Sequence, residues 1–195
     1  MTGQNIYIIR DKALKTKKRV FSIRELSNLI NKPYSQSKIY LNRLIEKKLT
    51  KKIKDGLISF TDNNLIESTQ ILSPSYISLT YALYLHKIIQ QIPFKIEIVS
   101  TKRAKFKSNY TFYNISPKLF FGYTKESTEN SYYFLAEPEK ALLDLIYFYG
   151  IDKELFLEFS KKMNKSKIKK YIEKYKTISG YRSKRVLMAR DYFVK

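Results

Sequence analysis

Pro33 interrupts a helical pattern and Asp55-Gly56 closes a hairpin soon after it, so residues 22–60 must make two helices, a sharp stop between them, and a ribbon. Ser22 and Glu25 stand three apart, the spacing of a capping box. The helix they open carries Ile23, Leu26, Leu29 and Ile30 at core spacing, and Asn31-Lys32-Pro33 ends it. A second helix is expected from about Ser35 to Lys47, with Leu41, Leu44 and Ile45 inward and Ser37 as a small packing residue. Leu49 to Ile53 and Leu57 to Phe60 alternate apolar and polar around Asp55-Gly56, as a two-stranded ribbon does. Upstream, Asn5 to Leu14 predicts a helix with Ile6, Ile8, Ile9 and Ala13 toward the core, and Val20-Phe21 a short strand.

This order is that of a winged helix-turn-helix, in which one helix supports, the next enters the major groove, and the hairpin lies on the backbone. The face of the second helix opposite Leu41 and Leu44 holds Gln36, Lys38, Asn42 and Arg43, with Ile39 beside them. Amide and guanidinium groups pair bidentately with adenine and guanine edges. The ribbon carries Lys51, Lys52 and Lys54, suited to phosphate and blind to sequence. Double-stranded DNA is the expected partner. Winged helices also serve as protein-interaction modules, and lysine-rich helix faces are often only solvated.

The charge is distributed to match. The 195 residues carry 38 Lys and Arg against 17 Asp and Glu, a net +21. Residues 1–62 hold +10, 63–150 hold +2 and 151–195 hold +9, so two basic ends flank a nearly neutral middle. Three parts with these boundaries are expected: a DNA-binding head, an α+β domain, and a basic helical end to that domain. Absence of Cys excludes a disulfide scaffold, a Cys-ligated zinc site and thiol catalysis. The single His86 leaves no metal cluster, and it is expected as a structural residue. No cofactor is expected. Residues 1–20 lack an apolar leader core, and Tyr76 to Ile92 is too short and too polar to span a bilayer. A cytoplasmic protein with no membrane partner is expected.

The middle predicts an α+β fold. Ser75 to Gln91 has helical spacing after Pro74, and Pro93 would stop that helix. Phe94 to Val99, Tyr110 to Ile115, Leu119 to Tyr123 and Tyr132 to Leu135 predict strands. A basic connection runs from Thr101 to Lys107. Glu137 to Tyr149 predicts a helix with Pro138 in its first turn and Gly150 at its end. Its Glu139, Lys140 and Asp144 fit helix-end and i,i+4 pairing better than catalysis. Glu97 is the only strand carboxylate placed for nuclease chemistry, and no Lys follows it two residues later. The chain has no Asp-x-Asp, no Gly-Ser and no phosphate-cradling Gly-rich loop, so no catalysis is expected. Three helices are expected in the last 45 residues, at about Lys153 to Met163, Ser166 to Tyr175 and Tyr181 to Phe193. Their Tyr171, Tyr175 and Tyr181 either stack on bases or pack beside Ile168 and Ile172. The +9 there suits DNA beside the head's site or an acidic protein face, and the sequence leaves both open.

Four segments carry a resemblance: Pro74-Ser75-Tyr76-Ile77-Ser78-Leu79; Thr101-Lys102-Arg103; Phe120-Phe121-Gly122-Tyr123; and Ala136 to Tyr147 with its Glu-Lys-Ala-Leu-Leu-Asp core. Over about residues 15–150 the chain resembles the AbiEi antitoxin family of the AbiE toxin–antitoxin systems. The resemblance implies an N-terminal domain that binds operator DNA and represses the antitoxin–toxin operon. It also implies a C-terminal domain that counters a nucleotidyltransferase-like toxin, with no stable complex required. Ser75, Tyr76, Ser78, Thr101, Lys102, Arg103, Glu139, Lys140 and Asp144 are the motif residues it singles out. Two departures stand out: Lys48 occupies a helix-end position the family gives to Gly, and Gly56-Leu57-Ile58 replaces Gly-Val-Tyr in the ribbon. A stand-alone regulator with a ligand- or partner-binding second domain is the alternative.

Overall fold

A computed structural model describes residues 5–54, 56–104 and 110–193. They form an α+β protein of two compact units, Met1–Ile71 with Glu126–Tyr133, and Leu72–Lys125 with Phe134–Lys195. Asp55 of the hairpin turn and residues 105–107 of the basic connection lie outside the described residues.

The first unit runs α1 (Ile6–Lys15), β1 (Val20–Ser22), α2 (Ile23–Ile30), α3 (Tyr34–Glu46), β2 (Lys51–Lys54), β3 (Leu57–Ser59) and α4 (Asn64–Ile71). Ser22 caps α2 reciprocally: its hydroxyl accepts from Glu25 N, and Glu25 Oε2 accepts from Ser22 N at 2.8 Å. Asn31 leaves α2 in the left-handed region, and the Pro33 carbonyl then accepts from Ser37 N at 2.9 Å to start α3. The strands order β1-β3-β2, all antiparallel, with Phe21 and Lys52 both facing Ile58. Ile9, Ala13, Leu26, Ile30, Leu44 and Ile58 are buried together beneath this layer, and Ser37 is buried among the packed helices. Ile8 does not join them; it is 52% exposed, because Ile9 and Ala13 already fill the inward stripe of a short helix.

The end of α3 places Lys48 in a left-handed turn. Lys48 sits at φ +54°; its N–H reaches the Ile45 carbonyl and Leu49 N–H the Leu44 carbonyl, both at 2.9 Å. That is a Schellman turn, whose left-handed position glycine fills without strain.

α4 was not expected. Most of its residues are buried, including Glu67, Ser68, Thr69 and Gln70, so it lacks an apolar stripe. Gln70 accounts for its position. Its Oε1 accepts from Arg19 N (2.6 Å) and Val20 N (3.3 Å), and its Nε2 donates to the Tyr132 carbonyl (3.0 Å).

In the second unit β4 (Ser75–Ile77), α5 (Leu79–Leu85), β5 (Ile96–Ser100) and β6 (Tyr110–Asn114) precede a 3-10 turn at Pro117–Leu119. Then come β7 (Tyr123–Ser127) and β8 (Tyr132–Ala136), whose Glu126–Ser127 and Tyr132–Tyr133 count with the first unit, and α6 (Pro138–Phe148), α7 (Lys153–Ser160), α8 (Lys165–Lys174) and α9 (Tyr181–Met188). The sheet order is β6-β5-β4-β8-β7, with β4 antiparallel to β5 and parallel to β8, and β5 parallel to β6.

Two expectations are corrected. Ser75 to Gln91 is not one helix: its first three residues are a central strand, and α5 ends at Leu85, well before Pro93. A strand buried on both faces shows no alternation, so it mimics a buried helix. Leu119 to Tyr123 is not a strand: the 3-10 turn takes its start, and β7 begins only at Tyr123. α6 lies where expected, with eight consecutive residues buried, Glu139 to Ile146.

Candidate functional site

On the first unit, α3 presents two outward lines. Gln36, Ile39 and Arg43 share one and all are exposed, Ile39 at 53%. Lys38 and Asn42 lie on the other, beside Tyr34. This second line forms one wall of a groove of about 450 Å³ whose opposite side includes Lys52 and Gly56. The inward stripe of Ser37, Leu41 and Leu44 forces these residues out, since a helix that buries one side must show the other. Gly56, at φ +74°, lets the chain reverse between β2 and β3, and its carbonyl accepts from Ile23 N at 3.0 Å.

The three ribbon lysines divide. Lys52 and Lys54 are exposed, with a bulge in the β2–β3 register between them. Lys51 points the other way, and its Nζ lies 2.9 Å from Glu67 Oε2 and 3.5 Å from Asp62 Oδ1. That ion pairing ties Lys51 to the structure of the unit. Tyr34, 55% exposed, joins the groove although the sequence offered only a residue after Pro33 as its signal.

In the second unit the motif residues separate into three groups. Tyr76, Ser78, Lys140 and Asp144 converge on one buried network. Asp144 Oδ2 accepts from Tyr76 OH (3.0 Å) and Ser78 Oγ (2.7 Å), and Asp144 Oδ1 pairs with Lys140 Nζ. Lys140 Nζ also donates to Tyr175 OH at 3.0 Å and lies 4.9 Å from the Phe121 ring centre. Lys140 and Asp144 are fully buried. Burial lowers the Lys140 pKa, Asp144 opposes that shift, and Lys174 adds to it. Burial first, and the Asp144 charge second, push the phenols of Tyr76 and Tyr175 well above their ordinary 10.0.

Gly122 makes this packing possible. At φ +70°, a side chain there would meet Lys140 Cβ at 3.1 Å and Tyr171 at 3.0 Å. Tyr175 belongs to the network although it lies 35 residues from Lys140, and only its apolar helical neighbours hinted at burial.

Ser75, Thr101, Lys102 and Arg103 gather at one end of β4 and β5. Ser75 faces Ser100 across the ladder, Lys102 N donates to Ser100 Oγ (3.1 Å), and Lys102 Nζ donates to the Ser73 carbonyl (2.6 Å). Arg103 is exposed and Thr101 half-buried. Glu139 turns toward α8: its Oε1 accepts from Asn164 N at 3.0 Å, and Lys167 lies 3.7 Å from its other oxygen.

The two remaining titratable positions considered from sequence are also engaged. Glu97 accepts from Thr80, from Tyr81 N (3.2 Å) and from Tyr113 OH (3.2 Å), which makes it a cap for α5. His86 Nε2 lies 2.8 Å from the Ala136 carbonyl. Among the described residues no helix is long and apolar enough to cross a membrane. No protein-family model matches the chain, and no curated protein matches it.

Proposed function

We propose that the first unit is a winged helix that binds double-stranded operator DNA, with α3 as the reading helix and the β2–β3 ribbon as the wing. We propose further that the chain is an AbiEi-type antitoxin. It represses its own operon and counters a nucleotidyltransferase-like toxin without catalysis of its own. One observation carries the DNA reading: Gln36, Lys38, Asn42 and Arg43 all stand exposed on α3, and Lys38 and Asn42 share a groove with Lys52. Adjacent amides, a guanidinium and ammonium groups supply base readout and phosphate contact together. Lys51 is set aside as a phosphate contact because of its pairing with Glu67. The antitoxin assignment is supported by the motif segments. Four of their residues, Tyr76, Ser78, Lys140 and Asp144, meet in one buried network of the second unit, which suits a structural role for them.

Binding of the whole chain to its upstream DNA and to a scrambled duplex tests the first part. Arg43→Ala should weaken upstream binding by about 5- to 150-fold and leave scrambled binding nearly unchanged. Lys52→Ala should weaken both alike and lower the salt slope by about one. Equal losses on both duplexes for Arg43→Ala would remove Arg43 as a reader. Growth rescue on co-expression with a neighbouring nucleotidyltransferase-like gene tests the second part. DNA binding without rescue would leave a stand-alone regulator.

A further inference from the structure

The C-terminal end of α6 and the start of α9 bring exposed tyrosines and arginines into one place. Tyr181 is 70% exposed and Tyr149 57%. The Arg185 guanidinium lies 4.3 Å from the Tyr181 ring centre, and the same side chain packs beside Gly150, the residue after Tyr149. Arg182 lies 5.5 Å from the Phe148 ring centre and is itself exposed, as is Lys184. Tyr149 is held by its hydroxyl, which hydrogen-bonds to Tyr113 OH, and Tyr113 donates to Glu97. The Tyr149 ring is therefore held before any partner arrives, and Tyr181 has Arg185 beside it.

Buried tyrosines need no such setting, and a merely solubilising surface would not spend two tyrosines on it. An exposed aromatic face gives nothing to a duplex, whose bases are already stacked, but it accepts an unstacked base. A guanidinium beside an aromatic ring still has N–H donors to offer a phosphate. The surrounding segment, 151–195, has a net charge of +9. We infer that this surface is a binding platform for single-stranded nucleic acid, with Tyr181 and Tyr149 stacking bases and Arg182, Lys184 and Arg185 holding the backbone. It goes beyond operator binding and uses residues of the second unit only.

The test uses the full chain and a fluorescent oligouridine of about 15 nucleotides, with the matching oligothymidine as a second arm. Unlabelled duplex in excess occupies duplex-binding surfaces. Tyr181→Ala should weaken binding by about 5- to 150-fold, Tyr181→Phe should retain it, and Arg43→Ala should leave it unchanged. Equal affinity on both arms assigns single strands generally, and preference for the uridine arm assigns RNA. The platform is overturned if the oligonucleotide does not bind, if the duplex displaces it, or if Tyr181→Ala binds as the wild type does. Displacement by polyglutamate as effectively as by unlabelled oligouridine would likewise overturn it, and would point to an acidic protein face. Because the duplex competitor and the Arg43 arm report separately, loss of the operator reading would not affect this outcome.

Discussion

Replacing Asp144 by Asn strips Lys140 of its counter-ion while keeping shape. The ammonium then retains Tyr175 OH and the Phe121 ring in a site with no solvent exposure. Breaking a buried pair this way costs about 3–5 kcal/mol. A ceiling on the charge term follows from proton exchange. Lysine can always give up its proton, which from its ordinary 10.5 costs about 1.4 kcal/mol per pH unit. The ceiling is thus about 5 kcal/mol near pH 7 and about 2 kcal/mol near pH 9. Lys140→Met leaves Asp144 three hydroxyl donors, Tyr76, Ser78 and Tyr175, and should cost about 3 kcal/mol. The double variant Lys140→Met with Asp144→Asn should cost less than the sum of the singles by several kcal/mol, about 2–4. Urea unfolding followed by circular dichroism, at about pH 7 and pH 9, measures all four proteins. If Asp144→Asn loses as much stability at the higher pH as at the lower, or the two singles simply add, the buried ion pair described here is wrong.

Lys48→Gly should raise stability by about 1 kcal/mol, because it relieves a left-handed lysine in the α3 turn; thermal unfolding reads the gain. The raised phenol pKa values of Tyr76 and Tyr175 set an alkaline limit. Below pH 10 the phenols are protonated folded or unfolded, and their stabilising contribution is intact. Above it only the unfolded chain releases those protons, so stability falls as pH rises. Tyr76→Phe should reduce that slope by about 1.4 kcal/mol per pH unit, and an unchanged slope would contradict the burial of this phenol.

The head was legible because its signals are local. A capping box, a proline and a short alternating ribbon each act within a few residues, and each lies where the pattern put it. Ser37 could be placed inward because it lies one turn before Leu41. The missed elements depend on partners distant in sequence. β4 is a strand because β5 and β8 flank it, and α4 is buried through the amide of Gln70 rather than through an apolar stripe. The same holds for the interior of the second unit. The i,i+4 spacing of Lys140 and Asp144 was visible, but that spacing usually means a solvated pair, and only the approach of Tyr76, Ser78 and Tyr175 makes it a core. Lys51 shows the reverse case: three ribbon lysines count alike as charge until Glu67 pairs with one.

The tie made by Gln70 and Arg19 has a consequence for how this chain can be divided. Ser131 Oγ donates to the Lys17 carbonyl at 2.7 Å, and Arg19 donates to the Asn130 carbonyl. Gln70 Nε2 donates to the Tyr132 carbonyl as well. The segment Glu126–Tyr133 thus completes a head that begins more than a hundred residues earlier. A fragment ended at Ile71 would leave the Arg19 guanidinium its Thr16 and Lys18 carbonyls but take away Asn130, and would take both acceptors from the Gln70 Nε2. Inheritance should therefore treat this head as joined to the chain that follows. A recombination that exchanged only the first seventy residues would have to carry the distant loop with it or repair what it left open.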